Sequence, residues 1–257
     1  MALLVALHRH DRAVVVLILL AAILGSWGYL LFGMEQPMPA MEGMAMPMPA
    51  PEWTGAYLAL TLAMWMAMMA AMMLPSAVPM LLFYDGIAHR RRPGTTAIGT
   101  TSLFGLGYLS VWLGFSVGAV ALQYVLEQAS LLSPMMEATS IALAGGILVA
   151  AGIYQWTSLK QACLRHCRSP FDFVTTYWQG GNRGAFAMGL RHGIYCLGCC
   201  WVLMLLLFVG GVMNLAWIAA IALFVLVEKL APAGHWLGKA AGASLVIWGG
   251  YVLVSLA

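Results

Sequence analysis

The sequence predicts an all-α fold: one polytopic transmembrane helix bundle of about seven spans, residues 1–257, with its N-terminus cytoplasmic. Composition is the first sign. The chain is 63% apolar and 8% charged, with a mean hydropathy of +0.90, whereas a soluble domain carries roughly 25% charged residues. The second sign is length. A spanning helix needs about 20 predominantly apolar residues, and the apolar runs fall at 14–32, 54–83, 98–122, 138–156, 193–212, 214–231 and 240–256. The third is the placement of the 12 basic residues. They occupy four stretches: Arg9 and Arg12; Arg90 to Arg92; Lys160, Arg165, Arg168, Arg183 and Arg191; Lys229 and Lys239. Seven spans put all of them on one side, as the positive-inside rule requires. Glu35, Glu42, Glu52, Glu127 and Glu137 then lie on or near the other side.

The first run follows a charged HRHDR, as a signal peptide would. It is longer than an ordinary signal core, and no small-residue cleavage site precedes Met34, so it reads as a retained helix. Residues 33–52 form an outer loop rich in Met, Pro, Ala and Gly, without apolar periodicity. The second run contains Pro75 and Pro79, where a helix should kink or end. Segment 157–191 is a cytoplasmic, Cys-containing loop. Within it, SLKQACLRHCRSP predicts a short helix ending at Pro170. FDFVTTYW suits the membrane interface, and Gly180, Gly181 and Gly184 break the chain before the fifth run. Asn214 is placed to cap the sixth run. Glu228, near its end, reads as an interfacial acid paired with a neighbouring cation. Gly114 and Gly118, and Gly234, Gly238 and Gly242, recur every four residues, a spacing that lets helix backbones approach within one subunit.

Sulfur dominates the candidate chemistry. Of 19 Met, six fall in MEQPMPAMEGMAMPMPAP, including the run Met44, Met46 and Met48. In the second span Met64, Met68 and Met72 form one helical row, and Met69 and Met73 a second. Such stripes suit core packing as well as ligation, because Met fills irregular gaps. All five Cys fall between 163 and 200. Cys196, Cys199 and Cys200 share one helix face, and His192 extends it by a turn. Cys163 and Cys167 pair on another helix, beside His166. Thiolates and thioethers select soft metals, Cu(I) above all, with zinc the alternative for thiolates and histidine. Lys160, Arg165, Arg168 and Arg191 surround these positions and would favour thiolates.

Three segments carry a resemblance: AMWMAMMAAMMLPSAVPM, YQWTSLKQACLRHCRSP, and GAFAMGLRHGIYCLGCCWVLMLLLFVGGVMNLAW with the VEKLAPAG that follows. From the second span onwards the chain resembles a bacterial family of predicted metal-binding integral membrane proteins (domain of unknown function 2182). The resemblance implies metal binding. It carries the family's Cys motifs to Cys163, Cys167, Cys196, Cys199 and Cys200, and its Met-Pro motif to Met72, Met73 and Pro75. The outer Met loop stands apart from it.

No Ser-His-Asp order, phosphate loop or H-E-x-x-H signature is present. The net charge of +3 follows from membrane topology, so nucleic acid is not an expected partner. The expected role is soft-metal binding in a bacterial inner membrane, for copper transport or delivery to a membrane cuproenzyme. A metal-dependent membrane oxidoreductase and an assembly subunit of a larger membrane complex remain as alternatives.

Overall fold

The computed structural model describes residues 2–33, 53–91, 98–133 and 136–255. The outer Met loop, with Met44, Met46 and Met48, lies outside the described residues. Those described are helical nearly throughout, with one isolated bridge between Leu132 and Ala138. The elements are α1 (Ala2–Gly33), α2 (Gly55–Arg91), α3 (Ile98–Gln128), α4 (Ile141–Tyr154), α5 (Ser158–Arg168), α6 (Pro170–Tyr177), α7 (Gly181–Leu205), α8 (Leu207–Gly210), α9 (Leu215–Leu230) and α10 (Gly234–Val254).

Among the described residues, five helical stretches are long and apolar enough to cross a membrane: Arg12–Gly33, Gly55–Arg91, Ile98–Gln128, Gly181–Gly210 and Gly234–Val254. α4 and α5 supply a sixth only if their 64° bend belongs to one broken span. α9, with 16 residues, is shorter than any of these five stretches. Its start follows the sequence: Asn214 accepts a hydrogen bond from the Trp217 amide at 3.1 Å. Within segment 157–191 the expected short helix is α5, capped by Thr157 and ending before Pro170; α6 follows with Pro170 at its first turn, and α7 begins at Gly181. Proline there starts a helix as well as stopping one, because the first-turn amide has no intrahelical partner.

α2 does not end at its prolines; it continues through Pro75 and Pro79 to Arg91. Pro75 removes the amide that would bond the Ala71 carbonyl, and the Trp27 indole of α1 donates to that carbonyl instead, at 3.2 Å. Neighbouring side chains that satisfy freed carbonyls are what make such prolines tolerable in apolar helices. α1 thus supports the bend point of α2.

Two glycine seams set the helix spacing. A Cβ on Gly107 would collide with the Phe186 carbonyl, and one on Gly189 with the Phe104 backbone, so α3 and α7 meet backbone to backbone. α4 and α10 meet similarly, through Gly145 and Gly152 against Gly242 and Gly249. Of the glycines expected to pack, Gly234, Gly238 and Gly242 do, against Glu228, Gln155 and Gly152. Gly114 and Gly118 do not: each faces open space. The close approach on α3 is made by Gly107, which has Leu103 and Val111 four positions to either side.

Candidate metal centre

α2, α3, α5, α7 and α9 converge on one buried cluster of sulfur atoms. α7 supplies Cys196, Cys199 and Cys200, all buried and all on one face. The Cys199 and Cys200 thiols each donate to the Cys196 carbonyl at 3.0 Å. From α2, the Met73 thioether lies 3.8 Å from the Cys200 sulfur. From α3, the Tyr108 hydroxyl lies 3.1 Å from the Cys196 sulfur and donates to the Met73 carbonyl at the same distance. From α5, Cys167 comes within side-chain reach of Cys196 and Cys199. The Gly107–Gly189 contact, next to Tyr108 and two turns before Cys196, brings α3 close enough for Tyr108 to reach the α7 thiols.

α9 contributes the charge. Lys229 is buried, and its ammonium sits 2.9 Å from the Cys196 sulfur and 3.1 Å from the Ser76 hydroxyl. A buried ion without a partner is costly. The ammonium and a Cys196 thiolate answer that cost for each other, and thiolate is the form that binds metal.

Cys163 lies one turn from Cys167 and packs its sulfur where Gly198 has no side chain; a Cβ there would sit 2.7 Å away. Beside it the Tyr154 hydroxyl donates to the Gly198 carbonyl. All five cysteines are free thiols. His192 is buried one turn before Cys196. Its ring stacks on Tyr108, with centroids 5.7 Å apart, and meets Phe173 edge-on at 5.4 Å. Its Nδ1 has no hydrogen-bond partner. His166 is not brought to the thiols: its ring lies flat on Tyr195 at 4.2 Å and its Nδ1 is 2.9 Å from the Ala162 carbonyl of its own helix. Met64, Met68, Met69 and Met72 are buried along α2, within the core cluster.

The expected cation shell is replaced. Lys160 pairs with Glu228 at 2.8 Å. Arg168 donates to the Ala231 and Pro232 carbonyls at 2.5 and 2.7 Å, and Arg191 covers the Tyr177 ring at 4.4 Å. The cation at the thiols is Lys229, which the sequence reading passed over, as it passed over Tyr108 and Ser76. Its position inside an apolar run was the available signal, since intramembrane ions mark sites. Glu228 is buried, and its cation is not a sequence neighbour but Lys160 of α5, 68 residues away in sequence.

Among the described residues, no three His, Cys, Asp or Glu side chains are arranged to hold a metal ion. The donors that converge are sulfurs, thioether included, and such a set selects Cu(I) over harder ions. A structural zinc site would need a closed four-ligand cage.

No protein of curated function and no solved structure matches the chain. A family model described as "PpoB2: Copper chaperone" matches residues 62–252, a stretch that runs from α2 into α10 and includes every cysteine and Lys229. The chain belongs to this copper chaperone family.

Proposed function

We propose that this protein is an integral protein of the bacterial inner membrane that takes Cu(I) as cargo. It holds the ion at Cys167, Cys196, Cys199, Cys200 and Met73, and hands it to a membrane cuproenzyme. The observation that carries this reading is the meeting of thiols and a thioether from three helices around one buried ammonium. Soft sulfur donors give the affinity. Lys229 offsets the charge of the thiolates before and after the ion arrives. Membership of the copper chaperone family supports copper over zinc. In this reading α1, α2, α3, α4, α7, α9 and α10 cross the membrane, the N-terminus is cytoplasmic, and the thiols lie towards the inner face.

Full-length protein purified in detergent should carry close to one Cu(I) per chain after anaerobic loading. Cys196→Ser, Cys199→Ser and Cys200→Ser combined should abolish it, with the helical circular dichroism retained. Unchanged copper content in that triple variant would overturn the site.

A further inference from the structure

Four cross-helix contacts set the register of α2 against α7, α8 and α3, from the thiols outwards. The Met73 and Cys200 sulfurs meet at 3.8 Å, and the Trp65 and Phe208 rings meet at 5.5 Å. The two pairs are the same number of residues apart on α2 as on the chain from α7 into α8, but run in opposite senses. Their midpoint sets Met69 level with Met204. Both are completely buried. On α3, Tyr108 bonds the Met73 carbonyl and Gln123 accepts from the Trp65 indole at 2.9 Å. Ser116 lies between them on the same face of α3. On a helical rise, this second sulfur level stands about 6 Å from the thiols, and the Trp65 level about 6 Å further.

Two features mark this seam as more than packing. Ser116 Oγ and Trp112 Nε1 are buried with no hydrogen-bond partner. Buried polar groups are ordinarily paired, so a hydroxyl and an indole N–H left open along one α3 face need an explanation. The second feature is the far end. Trp65 donates to Gln123, Gln123 donates to Glu127 at 2.8 Å, and Trp53 donates to the other Glu127 oxygen at 3.0 Å. Trp53 is the first described residue after the Met-rich segment. A polar latch therefore closes the seam where that segment joins the bundle.

We propose that the seam between α2, α3 and α7 is the path by which Cu(I) reaches the thiols, with Met69 and Met204 as an intermediate sulfur rung behind the Trp53–Glu127–Gln123–Trp65 latch. The proposal rests on the copper reading above and assigns Met204, Ser116 and the latch residues a part in it. Thioethers hold Cu(I) without needing to lose a proton, and more weakly than thiolates. A rung of two therefore passes the ion inwards down an affinity gradient. Ser116 offers the moving ion an oxygen, and the Trp112 ring beside it offers a face for a cation.

The test is the loading rate of the full chain in proteoliposomes, with Cu(I) generated by ascorbate and followed by thiolate-to-copper absorption in stopped flow. Met69→Leu with Met204→Leu should slow loading at least about tenfold while the final copper content stays that of the wild type. Leu for Met conserves volume and is well tolerated; the single variants carry the test if the pair does not fold. Met80→Leu, buried on α2 on the other side of the thiols, should load at the wild-type rate. Wild-type loading by the double variant, or equal slowing by Met80→Leu, would overturn the path. A wild-type protein that takes up no copper would show a different failure, that of the function itself, and the path would fall with it.

Discussion

Glu228 and Lys229 are consecutive on α9, and they take part in two buried pairs of different kinds. Glu228 reaches Lys160 of α5, carboxylate to ammonium, at 2.8 Å, with both side chains out of solvent. Lys229 reaches Cys196 of α7, ammonium to sulfur, at 2.9 Å, with the Ser76 hydroxyl as its second partner. The first pair joins a hard anion to a hard cation. The second joins an ammonium to an atom that Cu(I) also seeks. One pair locks α5 to α9, and the neighbouring one ties α9 to the proposed copper site on α7. Even the locking pair is incomplete, since Glu228 Oε1 lies against Gly238 without a hydrogen-bond partner.

Removing one member of the locking pair should have the largest effect. Glu228→Ala leaves the Lys160 ammonium buried and alone, which costs about 3–5 kcal/mol. The thermal midpoint in detergent should fall steeply, while protein that remains folded should bind its full copper. Removing both charges together, as Lys160→Met with Glu228→Leu, should restore most of that stability, because an apolar pair of similar volume is commonly neutral or better. If the double variant also lost copper, the two cations would not be separable in role and the contrast between them would fail.

Lys229→Met should act the other way round. Met can occupy much of the same space, so stability should change little relative to Glu228→Ala. Two or more thiolates around one Cu(I) leave a net negative charge in a medium of low dielectric, and without the ammonium that charge is unbalanced. Cu(I) affinity should fall about tenfold, equivalent to about 1.4 kcal/mol, as measured by competition with a chromogenic Cu(I) chelator. Unaltered affinity would make Lys229 a structural residue like Lys160.

This division shows which parts of the molecule could be read from the chain. Every predicted apolar run became helical, and the Cys196, Cys199 and Cys200 face survived into the structure, because helical periodicity is local. Asn214 and Thr157 cap their helices for the same local reason. Contacts between distant elements were not legible. The pairing of Glu228 with Lys160 spans 68 residues, and sequence spacing says nothing about which helix a side chain will face. Nor did four-residue glycine spacing select the seam. Gly114 and Gly118 carry the pattern and face open space, whereas Gly107 and Gly189 lie on different helices and hold the site's two walls together. The prolines misled for a related reason: the Ala71 carbonyl freed by Pro75 is satisfied by Trp27, from a helix whose position no local rule supplies. Cys163 and Cys167 share one helix, yet Cys167 is turned towards both Cys196 and Cys199 while Cys163 packs against Gly198.

The smallest expected effect isolates the geometry of the Lys229 ammonium from its charge. Ser76 sits on α2 between the two prolines; its hydroxyl donates to the Met73 carbonyl at 2.9 Å and accepts from Lys229 at 3.1 Å. It therefore ties the ammonium to the same turn that presents the Met73 thioether. Ser76→Ala removes one hydrogen bond to a charged group but leaves the charge in place and Cys196 as its partner. A loss of about 1–2 kcal/mol in stability is expected, with copper affinity changed by less than in Lys229→Met. If Ser76→Ala weakens copper as much as Lys229→Met does, the ammonium works by being held at one point, and its charge alone is not enough. If affinity is untouched, the charge suffices, and the proline-framed turn of α2 serves chiefly to place the Met73 sulfur.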